Sequence, residues 1–213
     1  MSSYTTAPEK PLIIGVSGGS CTGKNTLCSF FDPRITRVID LDAVAKNLSR
    51  KGGPIWKEIV KTWGTGILDS RGNLCRHKLR RIVFKSRKML LLLNQITHPL
   101  IYRETRKIIA QSSNYPLIVI NGATLWEGGF YRMLDYLVVV RAHPEVQKER
   151  LRKRGLSASE AEWLVQSQFF QRCLEKRANL IIENNYGCLK ELEPEVRRLM
   201  EIIHIRLGCK SNH

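Results

Sequence analysis

Residues 12–26 read LIIGVSGGSCTGKNT, and the fold turns on this stretch. Leu12, Ile13, Ile14 and Val16, with Gly15 among them, form a short apolar run bounded by glycines. Such a run suits a strand buried on both faces of a parallel sheet. Gly18, Gly19, Ser20, Cys21, Thr22 and Gly23 follow, then Lys24, Asn25 and Thr26, and a helical pattern to Phe31. Strand, the spacing Gly18-x4-Gly23-Lys24 and helix together have the order of a P-loop. Glycines let successive main-chain N–H groups turn inward around a phosphate. The N-terminus of the next helix adds partial positive charge, and Lys24 is set to reach the β- and γ-phosphates. The plain alternative is a glycine-rich turn that only joins strand to helix. One position departs from the pattern. Asn25 stands where a Ser or Thr hydroxyl would hold Mg²⁺. An amide oxygen can also ligate a hard cation, so Asn25 is read as a candidate metal ligand.

The chain has 213 residues, enough for one domain with insertions. Its 35 Lys and Arg against 19 Asp and Glu give a net charge of +16, which favours polyanionic ligands: nucleotides, a phosphorylated cofactor, nucleic acid or anionic lipid. Cysteines at 21, 28, 75, 173, 188 and 209 form no CxxC pair and suit reduced thiols in a cytosol. MSSYTTAPEK lacks the features of a signal peptide. No run approaches the roughly 18 apolar residues of a membrane span. A cytoplasmic protein without a membrane partner is expected.

Downstream, strand and helix alternate. Thr36–Asp40 (TRVID) reads as a second strand ending in Asp40-Leu41-Asp42, where a helix to about Arg50 begins. Carboxylates at the C-terminal end of a strand sit where open α/β sheets bind ligands. They could orient metal-bound water or take a proton from a hydroxyl. The bland reading of Asp42 is a helix N-cap. Residues 43–112 are mostly helical. Ile55, Ile59, Val60 and Trp63 recur at helical spacing, Asp69–Asn73 is a turn, and helices are expected over Arg76–Phe84 and Lys88–Gln95. Thr97-His98-Pro99 is expected to close one helix and open the next, from Leu100 to Gln111. The basic residues of this block read in part as a solvated face, and His98 as either a structural or a functional histidine. Strands return at Pro116–Asn121, Tyr136–Val140 and Asn179–Glu183, with helices at Pro144–Lys153, Leu156–Gln168 and Leu189 to about Leu207. Ser157, with Glu160 three residues on, marks a capping box. Residues 209–213 read as a frayed tail.

The expected fold is therefore α/β: a five-stranded parallel sheet flanked by helices, of the P-loop kinase, adenylate-kinase-like kind. Residues 11–42, 115–153 and 178–207 would form the nucleotide-binding core. Residues 43–112 would be a helical substrate-binding insertion and 154–177 a helical lid. The basic residues from Arg150 to Arg177 could close over ATP, meeting its charge and excluding water.

From about Leu12 to Met200 the chain resembles the dephospho-coenzyme A kinases. The specific part is the middle: VIDLDAVAKNL (38–48), GPIWKEIVKTWGTGIL (53–68), KLRRIVF (78–84) and ITHPLI (96–101), followed by Glu127, with GLSASEAE, Gln168 and Arg177 resembling the family's lid. The resemblance implies that ATP phosphorylates the ribose 3′-hydroxyl of dephospho-coenzyme A, the final step of coenzyme A biosynthesis. It implies Asp42 as general base and metal-side carboxylate, and Gly18 to Thr26 with Lys24 on the ATP phosphates. Arg150, Arg177 and Arg172 would neutralise phosphate charge. Asp40, His98, Arg103, Arg106 and Glu127 would lie on the acceptor side. Mg²⁺ with ATP is the implied cofactor, and ATP and dephospho-coenzyme A the partners.

Four positions depart from the family pattern: Asn25, Asn121 where an aspartate is usual, Leu174 for a lid lysine and Asn179 for an aspartate. They keep open a catalytically weak nucleotide- or coenzyme A-binding relative. Another small-molecule or nucleoside-monophosphate kinase also remains open. A nucleic-acid-binding module is not expected, because the basic surface comes without an aromatic stacking motif.

Overall fold

The computed structural model describes residues 10–84, 86–167, 171–185 and 189–208. The expectations for the N-terminal stretch, Gln168, Cys188 and residues 209–213 lie outside the described residues, as does the side chain of Arg172. The chain divides into two compact units, one of residues 1–38, 112–126 and 130–213, the other of residues 39–111 and 127–129.

The sheet belongs to the first unit, with one edge strand running into the second. Its strands are β1 (Leu12–Ser17), β2 (Thr36–Asp40), β3 (Leu117–Asn121), β4 (Tyr136–Arg141) and β5 (Leu180–Glu183), in the order β2-β3-β1-β4-β5. β1 is parallel to β3, with Leu12 opposite Leu117, and to β4, with Ile14 opposite Tyr136; β4 is parallel to β5. The continuous apolar runs follow from burial on both faces. Ile14, Val16, Leu117, Val119, Val138, Val140 and Ile182 point one way. There they pack against Leu27 and Phe31 beside α1 (Lys24–Cys28) and against Leu192, Val196, Leu199 and Ile203 of α9 (Leu189–Arg206). Ile13, Ile118, Ile120, Leu137 and Val139 alternate with them, point the other way and are equally buried. Helices α6 (Pro144–Lys153) and α7 (Ala158–Gln166) follow β4 and pack on each other, with Lys148 paired to Glu162 at 2.9 Å. The capping box is formed: the Ser157 hydroxyl accepts from the Glu160 N–H, and the Glu160 carboxylate accepts from the Ser157 N–H. A short α8 (Gln171–Glu175) carries no sequence signal strong enough to have been expected.

The second unit is a helical body. Its helices are α2 (Leu41–Leu48), α3 (Pro54–Trp63), α4 (Arg76–Phe84) and α5 (Arg87–Ala110), with a single 3₁₀ turn at Thr65–Ile67. Helix α5 packs against the other three. Ile39, Leu41, Val44, Ile55, Ile59, Ile67, Val83 and Ile101 are buried in this unit. The turn at Asp69–Asn73 is closed by the Asp69 carboxylate, which accepts from the N–H groups of Arg71 and Asn73.

Two sequence expectations are corrected here. Thr97-His98-Pro99 does not separate two helices; α5 is continuous, with Pro99 inside it. Proline removes one helix bond and crowds the preceding turn, at a cost of roughly 3 kcal/mol. The ring of Pro99 is exposed, and packing along the rest of α5 outweighs the loss. The cap of α2 is Asp40, not Asp42. The Asp40 Oδ1 accepts from the N–H groups of Asp42 and Ala43 at 2.8 and 3.2 Å, and Asp42 lies in the first turn.

Removing the α7 cap tests the local reading. Ser157→Ala should cost about 1 kcal/mol, measured by denaturant unfolding, with faster amide exchange confined to the first turn of α7.

Candidate active site

The two sets of candidate residues fall one in each unit. Gly18 to Thr26, Arg150 and Arg177 belong to the first; Asp40, Asp42, His98, Arg103, Arg106 and Glu127 belong to the second.

The loop after β1 is held in a shape that only glycine tolerates at two points. Gly18 has φ +144°, and a Cβ there would stand 2.0 Å from the Val140 carbonyl oxygen. Gly23 has φ +104°, and a Cβ would meet the Asn184 amide at 2.1 Å. Cys21 adopts φ +59°, a left-handed conformation that costs a non-glycine residue about 1–2 kcal/mol. Side chains hold this backbone in place. Lys24 Nζ donates to the Gly18 and Gly19 carbonyls at 3.1 and 2.7 Å, and the buried Thr22 hydroxyl donates to Gly19 O at 3.0 Å. The ammonium group therefore folds back over the loop.

Asn184, beyond the end of β5, is the residue that sequence reading missed. Its Nδ2 donates to the Thr22 carbonyl at 2.8 Å, and its Oδ1 accepts from Arg150 at 3.4 Å. Arg150 also donates to the Cys21 carbonyl at 3.1 Å. Arg150 thus grips the back of the loop. Nothing in local sequence marks Asn184, because its role arises from the long-range pairing of β4 and β5. Arg177 lies over the Trp126 ring, 4.2 Å from its centroid, and Trp126 stacks on Tyr131. A guanidinium held on an aromatic face is positioned, yet keeps its edge donors for an anion.

Beside the loop, Asn121 at the end of β3 donates from Nδ2 to the Oδ1 of Asn25 at 2.8 Å. The amide oxygen expected to ligate Mg²⁺ is thus already an acceptor. Among the described residues no group of three or more His, Cys, Asp or Glu side chains gathers to hold a metal ion.

In the second unit, Asp42 is exposed in the first turn of α2, where a negative charge is favoured by the helix dipole. Arg103 and Arg106 are exposed, three residues apart on α5. His98 is half-buried and hydrogen-bonds to the main chain of Glu127; burial pushes its pKa down from the ordinary histidine value. Burial pushes the Glu127 carboxyl up, and its Oε2 has no partner among the described residues.

A glycine-rich loop with a lysine, set between the first strand of a parallel sheet and a helix, defines a P-loop protein. The dephospho-CoA kinase family model (CoaE) matches residues 12–190. A dephospho-CoA kinase from Aquifex aeolicus is 38% identical over 190 residues, spanning 88% of this chain and 95% of that protein. One from Fusobacterium nucleatum is 33% identical, spanning 90% and 98%. The solved protein TT1252 from Thermus thermophilus shares the fold at a TM-score of 0.73 and 27% identity, with 91% and 98% covered. The chain belongs to the dephospho-CoA kinase family.

Two measurements check the site. Asn184→Ala should lower ATP affinity about tenfold by leaving the Thr22 carbonyl unmatched, as read by calorimetric titration. Glu127 holds its proton more tightly when folded, so that contribution is full below about pH 4.5 and is lost as pH rises through its raised folded value. Thermal melts should therefore show Glu127→Gln gaining on the wild type at pH 8 relative to pH 4.

Proposed function

We propose that this chain transfers the γ-phosphoryl group of ATP to the ribose 3′-hydroxyl of dephospho-coenzyme A, giving coenzyme A and ADP. The observation that carries this reading is the formed phosphate loop, with Lys24 folded onto the Gly18 and Gly19 carbonyls, in a chain of the dephospho-CoA kinase family. Phosphoryl transfer asks little covalent chemistry of a protein; it asks for positioning and for charge to meet the transferred group. The N–H groups from Gly18 to Thr26 and the Lys24 ammonium hold the β- and γ-phosphates. Arg150 fixes the loop from behind, and Arg177, released from Trp126 or reaching past it, adds positive charge. Asp42 takes the proton from the attacking hydroxyl. Its exposed carboxylate, set beside the capped start of α2, suits that role. Arg103 and Arg106 meet the acceptor's phosphates, and Asp40, His98 and Glu127 shape the acceptor side. Residues 43–112 supply that side and residues 154–177 cover the nucleotide. Mg²⁺ bound with ATP would supply further charge against its phosphates, and Asp42 would be the carboxylate facing the hydrated ion. No helix among the described residues is long and apolar enough to cross a membrane. The proposed setting is the cytoplasm, where both substrates are polyanions attracted by the +16 charge.

A second reading, a weakly active nucleotide- or coenzyme A-binding relative, draws on the Asn25–Asn121 pair, two amides in place of a hydroxyl and a carboxylate.

ADP release with dephospho-coenzyme A and with a panel of nucleoside monophosphates separates the readings. The expected outcome is turnover with dephospho-coenzyme A. Asp42→Asn should lower kcat by about 10²–10⁴-fold while ATP affinity stays within twofold of wild type, roughly the noise of such titrations. Binding of both substrates without turnover by the wild type would favour the second reading.

A further inference from the structure

The hydrogen bond between Asn121 and Asn25 has a direction, and that direction decides what position 25 offers to a ligand. Asn121 is only 4% exposed, and its Oδ1 has no partner among the described residues. Its Nδ2 donates to Asn25 Oδ1 at 2.8 Å. In the opposite arrangement, Asn25 Nδ2 would donate to Asn121 Oδ1. That would leave the buried Asn121 NH₂ with two unmatched hydrogens, in place of the one unmatched hydrogen and one unmatched oxygen of the observed arrangement. The observed direction fixes the Asn25 amide with its oxygen turned toward Asn121 and leaves its NH₂ outside that bond. Asn25 is exposed and directly follows Lys24 at the start of α1. An amide presenting N–H groups beside a phosphate loop suits anionic oxygen and not a cation.

We propose that Asn25 binds the nucleotide's phosphate oxygen as a donor through Nδ2, with Asn121 as the positioning residue that holds the amide in that orientation. Nucleotide capture by this chain then requires no metal ligand at position 25. The inference rests on the kinase reading only for the identity of the anion. It makes the paired departures from the family pattern one functional unit: each amide is needed for the orientation of the other. Both members are neutral, so neither adds negative charge beside the phosphates.

The test is calorimetric titration of ATP into the full chain, once with Mg²⁺ and once with EDTA. Asn25→Ala should weaken ATP binding about five- to tenfold in both buffers, as expected for loss of a hydrogen bond to a charged group. Asn25→Asp, which has oxygens and no donor, should weaken metal-free binding more than about tenfold and recover with Mg²⁺. Asn121→Leu frees the Asn25 amide to turn, so the ratio of the EDTA to the Mg²⁺ Kd should rise about threefold or more. Asn25 is exposed, so its variants keep the test decisive if Asn121→Leu fails to fold. Should Asn25→Ala leave metal-free binding unchanged and weaken only the Mg²⁺ form, position 25 is a metal ligand and the proposal is overturned. An unchanged ratio in folded Asn121→Leu overturns the positioning role. Wild-type protein that binds ATP in neither buffer would overturn the kinase reading along with it.

Discussion

A loop that turns its N–H groups inward must turn its carbonyls outward, and those carbonyls need donors. This constraint organises the first unit. Lys24 supplies two of the donors, Thr22 another, and Arg150 and Asn184 close the back of the loop at the Cys21 and Thr22 carbonyls. Apart from Thr22, which lies in the loop itself, each donor comes from a place set by the sheet: α1 after the loop that follows β1, α6 after β4, and the residue that follows β5. The parallel ladder of buried β-branched strands is therefore also the frame of an anion site. Loss of strand register would strip the loop of its supports before it exposed much core.

The second unit solves a different problem. It presents charge and hydrogen-bonding groups on helices whose apolar faces close around α5. Asp40 accepts two of the N–H groups in the first turn of α2, and Asp42 follows it in that turn. Two aspartates one residue apart thus take separate tasks. One caps the backbone; the other stands exposed at the helix start. His98 and Glu127 show the reverse economy, since burial disfavours the charged imidazole and makes the carboxylate reluctant to ionise.

Most of the fold was legible in the sequence because its strands are uniformly buried and its helices carry clear punctuation. Thr36–Asp40 and Pro144–Lys153 matched their expected bounds, and the capping box at Ser157 and Glu160 formed as expected. Pro99 misled for a physical reason: a local breaker was outweighed by packing spread along a long helix. Asp42 and Asp40 exchanged the capping role because composition alone does not say which of two adjacent carboxylates lies at the helix boundary. At the site, the glycines and Lys24 announced the loop. Asn184 did not announce itself, since its position depends on a strand paired across much of the chain. Asn25 and Asn121 were each visible as departures, yet their bond joins positions that sequence spacing cannot bring together.

The strand order has one more consequence. β2 and β5 form the two rims of the sheet. Both are short, and Arg37 and Glu183 stand exposed on them. A foreign strand aligning there would gain few main-chain bonds. The same ladder that frames the phosphate loop therefore ends in margins poorly suited to stitching one copy's sheet onto another's. Crowded copies have little to gain by merging along them.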